Sequence, residues 1–291
     1  MARFATGSVT SRDGTRIGYR RAGQGLPVIL LHGGMQGAQH LTLLAEGLVD
    51  SFAVYIPDRR GRGLSDAPYE ICAGLSKQCE DLEALLLESG AHRVFGLSSG
   101  GIIAIHGALR IPAIQKVAVY EPALSMHGSS PTHWLDRYER EIQQRRLAAA
   151  LVTALKGIQI SRFFEYMPRW VLVPLLKFAI RHHPVNAGDI PLELLIPTMK
   201  CDVRLVLETE DTVPAFANLQ ADALLLGGSK GPAYLQCALD ALERTLPHAR
   251  RVVLRGLDHL GPSNEGNPNR VAKELRRFFI EPSSAREEAR P

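Results

Sequence analysis

Apolar residues in this chain fall into short unbroken runs separated by stretches with helical periodicity. Residues 27–31 (PVILL) and 52–56 (FAVYI) show no polar alternation. That is the pattern of strands covered on both faces, as in a parallel sheet. Residues 4–10 and 15–21 alternate weakly on either side of Asp13 and Gly14, which predicts an opening hairpin. Leu82, Leu85 and Leu86 share one face of a helix over 75–89, with Gly90 as its stop. The rhythm then repeats as strand 93–97, helix 99–109 and strand 116–120. Near the end come strand 223–226, helix 233–246, strand 251–254 and helix 270–280. Strands alternating with helices of roughly 10–15 residues predict an α/β fold with a mostly parallel, doubly wound sheet and right-handed crossovers.

One segment departs from this rhythm. Between Glu121 and Ala221 no buried strand can be read. Residues 134–155 form a long helical stretch and 161–180 a second, apolar one, while Pro184, Pro191 and Pro197 punctuate the residues beyond them. The expected organisation is a core of residues 1–121 and 221–282, a helical cap inserted over 122–220, and a polar, disordered tail at 283–291.

Composition changes this picture little. The 291 residues are 45% hydrophobic, enough for a large core, and 34 Lys+Arg against 30 Asp+Glu leave a net charge of +4. The densest basic run, Arg59, Arg60 and Arg62, is short and reads as solvated surface charge, so nucleic acid is not expected as a partner. Cys72, Cys79, Cys201 and Cys237 form no Cys-x-x-Cys pair and no metal-ligand spacing with histidine. They read as free thiols in a reducing compartment. The N-terminal residues lack the apolar core of a signal peptide, and the stretch 170–180 is too short to span a bilayer. The expectation is a cytoplasmic protein with no membrane partner, no metal and no cofactor, acting as a monomer or homodimer.

The candidate chemistry begins at residues 96–100 (GLSSG). The pattern Gly-x-Ser-x-Gly is weak alone, but here an apolar strand turns directly into a helix. Such a turn strains the serine backbone and lifts its hydroxyl out of the sheet, with Gly96 and Gly100 where strand and helix cross. Ser98 is the candidate nucleophile. His259, just past the last strand, faces the same side of the sheet and is the candidate base. Residues 32–35 (HGGM) come directly after another buried strand, and backbone amides of such a loop can receive an oxyanion. Gly34 is the favoured donor, Met35 the alternate, and Ser99 supplies the second amide.

Residues 31–34 (LHGG), 58–65 (DRRGRGLS), 96–100 (GLSSG), the helical insertion and 256–259 (GLDH) together resemble the α/β-hydrolase fold family, in the family's order and over about residues 15–280. In that family 58–65 is a structural loop. The resemblance also implies an Asp after the strand that comes next to the cap, where this chain reads 226–232 (LGGSKGP), with no carboxylate. Glu121, at the tip of the strand after the nucleophile's helix, is the candidate replacement, since some family members carry their acid there. An ionised Glu at a buried strand end also needs a partner. Asp211 and Asp222 precede the post-cap strand, and Asp258 adjoins His259 too closely for good alignment.

The reading is a serine hydrolase acting on a carboxylic ester, lactone or thioester of a hydrophobic small molecule, with Ser98, His259 and Glu121 as triad. Met35 and Trp170 are the expected substrate contacts, Trp170 because the cap is rich in aromatic residues. A C–C bond hydrolase or perhydrolase of the same fold, and a non-catalytic binder of small molecules, remain as alternatives.

Overall fold

The computed structural model describes residues 2–66, 72–182 and 185–282. The tail predicted at 283–291 and Pro184 lie outside the described residues. The opening hairpin is present as β1 (Ala5–Thr10) and β2 (Arg16–Ala22). The unbroken apolar runs become β3 (Leu26–Leu31) and β4 (Phe52–Pro57), succeeded by β5 (Arg93–Leu97), β6 (Lys116–Tyr120), β7 (Asp222–Gly228) and β8 (Ala249–Leu254). The sheet order is β1-β2-β4-β3-β5-β6-β7-β8. Only β2 runs against its neighbours; the remaining pairings from β4 to β8 are parallel.

Alternate residues of the central strands feed two cores. Val28, Leu30, Phe95 and Ala118 pack with α1 (Thr42–Glu46) and α11 (Pro268–Ile280) on one face. Ile29, Leu31, Val94 and Val117 pack with α2 (Leu75–Ser89), α3 (Ser99–Arg110) and α10 (Ala233–Thr245) on the other. Helix α2 ends where Gly90 takes φ 65°, a left-handed cap that a side chain would resist.

Between β6 and β7 the chain leaves the sheet for α4 (Leu135–Gln143), α5 (Leu147–Gly157), α6 (Arg162–Tyr166), α7 (Arg169–His182), α8 (Leu192–Leu195) and α9 (Met199–Glu208). This excursion has its own core around Trp134, Tyr138, Leu151, Ile196, Met199 and Val203. The long helix expected over 134–155 is two helices, because Arg145 turns to φ 56°. The stretch 161–180 is also divided. Met167 adopts extended backbone, as a residue preceding proline does, and Pro168 comes next.

Two compositional expectations are corrected. Cys72 and Cys201 form a disulfide, which withdraws the argument from free thiols; Cys79 and Cys237 are the unbridged ones. The run Arg59, Arg60, Arg62 is not solvated surface charge. Arg59 and Arg62 are 7% and 4% exposed, and the Arg60 side chain pairs with Asp13 and Asp81. Buried guanidiniums need carboxylates close by, and folding brings those from distant parts of the chain. No described helix is long and apolar enough to cross a membrane.

Candidate active site

The turn from β5 into α3 places Ser98 at φ 54°, ψ −118°, a strained conformation for a residue with a side chain. The flanking glycines are required sterically. A Cβ on Gly96 would meet the Gly100 carbonyl oxygen at 2.3 Å, and one on Gly100 would meet the Leu31 and His32 carbonyls at 2.5 Å. The amide of Ser98 donates to the Tyr120 carbonyl at 3.0 Å, which ties the elbow to the neighbouring strand.

Glu121 comes directly after β6, at φ 44° and fully buried. Its Oε2 accepts a hydrogen bond from His259 Nδ1 at 2.8 Å. Its Oε1 accepts from the Gly228 amide at 2.8 Å and from Gln236 Nε2 at 3.0 Å. The carboxylate-free loop after β7 therefore has a positive use: it wraps the Glu121 carboxylate. A Cβ on Gly231 would stand 2.0 Å from Glu121 Oε1, so that glycine makes room for the carboxylate. Asp258 serves its own turn, its Oδ1 accepting from the Leu260 amide, and its carbonyl accepts the Tyr120 hydroxyl.

Ser98 and His259 line one cavity of about 80 Å³, with no direct hydrogen bond between them among the described residues. Gly33, Gly34, Met35 and Ser99 border it on the core side, and Trp134, Ile158, Ile160, Met199 and Asp202 from the helical excursion. No lysine or arginine is among the lining residues that are described. Among the described residues no group of three or more His, Cys, Asp or Glu is placed to hold a metal ion.

The loop after β3 is braced by buried polar groups. His32 is fully buried; its Nδ1–H donates to the Gly33 carbonyl at 2.9 Å and its Nε2 accepts from the Arg59 amide at 3.1 Å. Burial, reinforced by the Arg62 and Arg59 charges, holds its basicity well below that of a free imidazole. His32 is thus a neutral strut. The Gly33 amide donates to Gln36 Oε1, and the Met35 amide to Asp202 Oδ2 at 3.3 Å. Of the two amides that could receive an oxyanion from this loop, that of Met35 already has an acceptor, and that of Gly34 has none among the described residues.

Trp170 is corrected. It is 79% exposed and absent from the cavity wall; the tryptophan that does line it is Trp134. Composition shows that a segment is aromatic but not which way each ring turns. Two groups were missed by sequence reasoning. Gln236 holds Glu121, and Asp202 forms ion pairs with Arg59 at 2.8 Å and Arg62 at 2.7 Å. The signal for Asp202 was present: Met199, Asp202, Val203 and Val206 form the inward stripe of α9, and a carboxylate at a core position of an amphipathic helix calls for a buried partner.

Residues 28–274 match the model of the "Alpha/beta hydrolase family". A 2-(acetamidomethylene)succinate hydrolase from Mesorhizobium japonicum is 24% identical over 270 residues, covering 90% of this chain and 91% of that protein. A cis-3-alkyl-4-alkyloxetan-2-one decarboxylase from Shewanella oneidensis is 34% identical over 109 residues, 35% of this chain and 34% of that protein. The chain thus spans about a third of the latter relative's length. Among solved structures, an alpha/beta hydrolase from Sphaerobacter thermophilus superposes with a TM-score of 0.74 at 26% identity, covering 94% of this chain and all of that one.

Proposed function

The chain belongs to the alpha/beta hydrolase family, and from that premise we propose that it is a serine hydrolase cleaving a carboxylic ester, lactone or thioester of an uncharged, apolar small molecule. The observation that carries this reading is the 2.8 Å bond from His259 Nδ1–H to the buried Glu121 carboxylate, on the wall of the cavity that Ser98 also lines. A carboxylate at Nδ1 fixes the tautomer in which Nε2 can take a proton. Ser98 Oγ attacks the carbonyl carbon as His259 accepts the hydroxyl proton, and the pair closes to hydrogen-bond distance as substrate enters. The amides of Gly34 and Ser99 receive the oxyanion, and His259 returns the proton to the departing alcohol or thiol. Water, deprotonated by the same imidazole, then releases the acid.

The substrate class is argued from the lining. The Mesorhizobium relative is named for a succinate derivative, whereas the described residues lining this cavity are mostly apolar, with no lysine or arginine among them, which favours an uncharged acyl group. The small cavity, about 80 Å³ and lined mainly by apolar side chains, suits a compact apolar acyl group. We read residues 122–220 as a cap, because the excursion supplies the outer wall of the cavity. The test is turnover of p-nitrophenyl acetate, butyrate and hexanoate by wild type and Ser98→Ala, with fluorophosphonate labelling. Ser98-dependent turnover and labelling support the reading. A wild type that neither turns over these esters nor labels overturns it in favour of a non-catalytic binder.

A further inference from the structure

We infer that Asp202, on helix α9, is a positioning residue that holds the two halves of the oxyanion pocket in register. The inference rests on the proposed roles of Ser98, Gly34 and Ser99. Those two amides belong to separate segments, the loop after β3 and the first turn of α3. Asp202 bonds to both segments at once. Its Oδ2 accepts from the Met35 amide at 3.3 Å, next to Gly34, and its Oδ1 accepts from Ser99 Oγ at 2.9 Å. It also lies against the loop itself: a Cβ on Gly34 would be 3.2 Å from Asp202 Oδ2.

The loop needs such a brace. Gly33 and Gly34 have no side chains to pack, and Met35 is held at φ 51°. The carboxylate is itself held by two guanidiniums. Arg59 Nη1 bonds to both Asp202 Oδ1 and Ser99 Oγ, and its other nitrogens bond to Gln78 Oε1. Arg62 bonds to Asp202 Oδ2 and to the carbonyls of Gly33 and Gln36. Burial opposes ionisation of Asp202, but Arg62 and Arg59 outweigh it and hold the carboxyl below its usual range.

Helix α9 is fastened to the core on both sides of this residue. Cys201 is bridged to Cys72, and Glu208 accepts the Leu75 amide at the start of α2. Asp202 therefore works from a fixed base, and small errors in its placement pass straight to the two amides.

The experiment compares Asp202→Asn and Ser99→Ala with wild type on p-nitrophenyl butyrate. Active sites are counted by fluorophosphonate titration, and the Ki of a trifluoromethyl ketone, which forms a tetrahedral oxyanion on Ser98, is measured in parallel. The isosteric amide of D202N can serve only one of the two segments as acceptor. We expect kcat per titrated site to fall about 100-fold, the cost of a misplacement near 1 Å, with KM within threefold. The ketone Ki should rise in proportion to the loss in kcat/KM. S99A, which removes one tether and keeps the backbone amide, should lose about tenfold. A merely structural Asp202 would reduce the number of titrated sites and the melting temperature while kcat per site and Ki stayed at wild-type values, which overturns the inference. Should D202N not fold, wild-type kcat per site and Ki in S99A overturn it equally. Wild type without Ser98-dependent turnover overturns the nucleophile assignment, and the inference with it.

Discussion

Glu121→Gln is the most informative single substitution, because the structure dictates which way the new amide faces. Glu121 Oε1 accepts two hydrogen bonds, from the Gly228 amide and Gln236 Nε2. In the variant the amide oxygen must stay there, since the reverse orientation would set an NH₂ against two donors at about 1–3 kcal/mol for each unsatisfied group. The NH₂ then faces His259 Nδ1, where the carboxylate oxygen stood at 2.8 Å. Nδ1 becomes an acceptor, the ring proton moves to Nε2, and the nitrogen meant to take the Ser98 proton is already protonated. The equivalent Asp→Asn change in the Ser-His-Asp proteases lowers kcat by about 10⁴, or roughly 5.5 kcal/mol in the barrier. We expect a loss of about that size in kcat for p-nitrophenyl butyrate, with a parallel fall in the rate of fluorophosphonate labelling. The variant is isosteric and should fold. A folded E121Q protein retaining more than a tenth of wild-type kcat would refute the assignment of Glu121 as the acid and the tautomer argument with it.

Trp170→Ala should leave kcat, KM and chain-length preference within threefold and stability within about 0.5 kcal/mol, because the ring is exposed and off the cavity; a changed acyl-chain profile would contradict that placement. His106 packs edge-on against Phe216, and burial pushes its imidazole down to about 4, with Arg110 adding to the effect. On acidification from pH 6.5 to 4 the unfolded chain takes up a proton that the native His106 refuses, so stability falls through that window by on the order of 3 kcal/mol. Urea unfolding at pH 7.5 and 5 should show a smaller pH difference in His106→Gln than in wild type, and an equal difference would refute the attribution.

How much the sequence disclosed depends on the range of the forces involved. Strands β3 to β6, helix α2 with its glycine stop, and the elbow at Ser98 are each determined by a few neighbouring residues, and all were legible. Glu121 was legible from a conflict, a buried carboxylate at a strand tip and a loop without one. The break at Arg145 was not, because no glycine or proline marks it. Arg59 and Arg62 were misread for a related reason. Their partner, Asp202, is more than a hundred positions away, and a short basic run looks the same in sequence whether water or a distant carboxylate receives it.

The position of Glu121 also bears on when the site comes into being. On the proposed roles, nucleophile and acid sit on a single strand–helix–strand unit, β5–α3–β6, whose contacts are short-range and can form early. His259 lies 138 positions beyond Glu121 and is synthesised well after both of them. A growing chain can thus fold the elbow and shape the cavity floor while remaining chemically inert. Of the three proposed triad residues the imidazole is delivered last, so on these roles hydrolytic competence waits until β8 has been made.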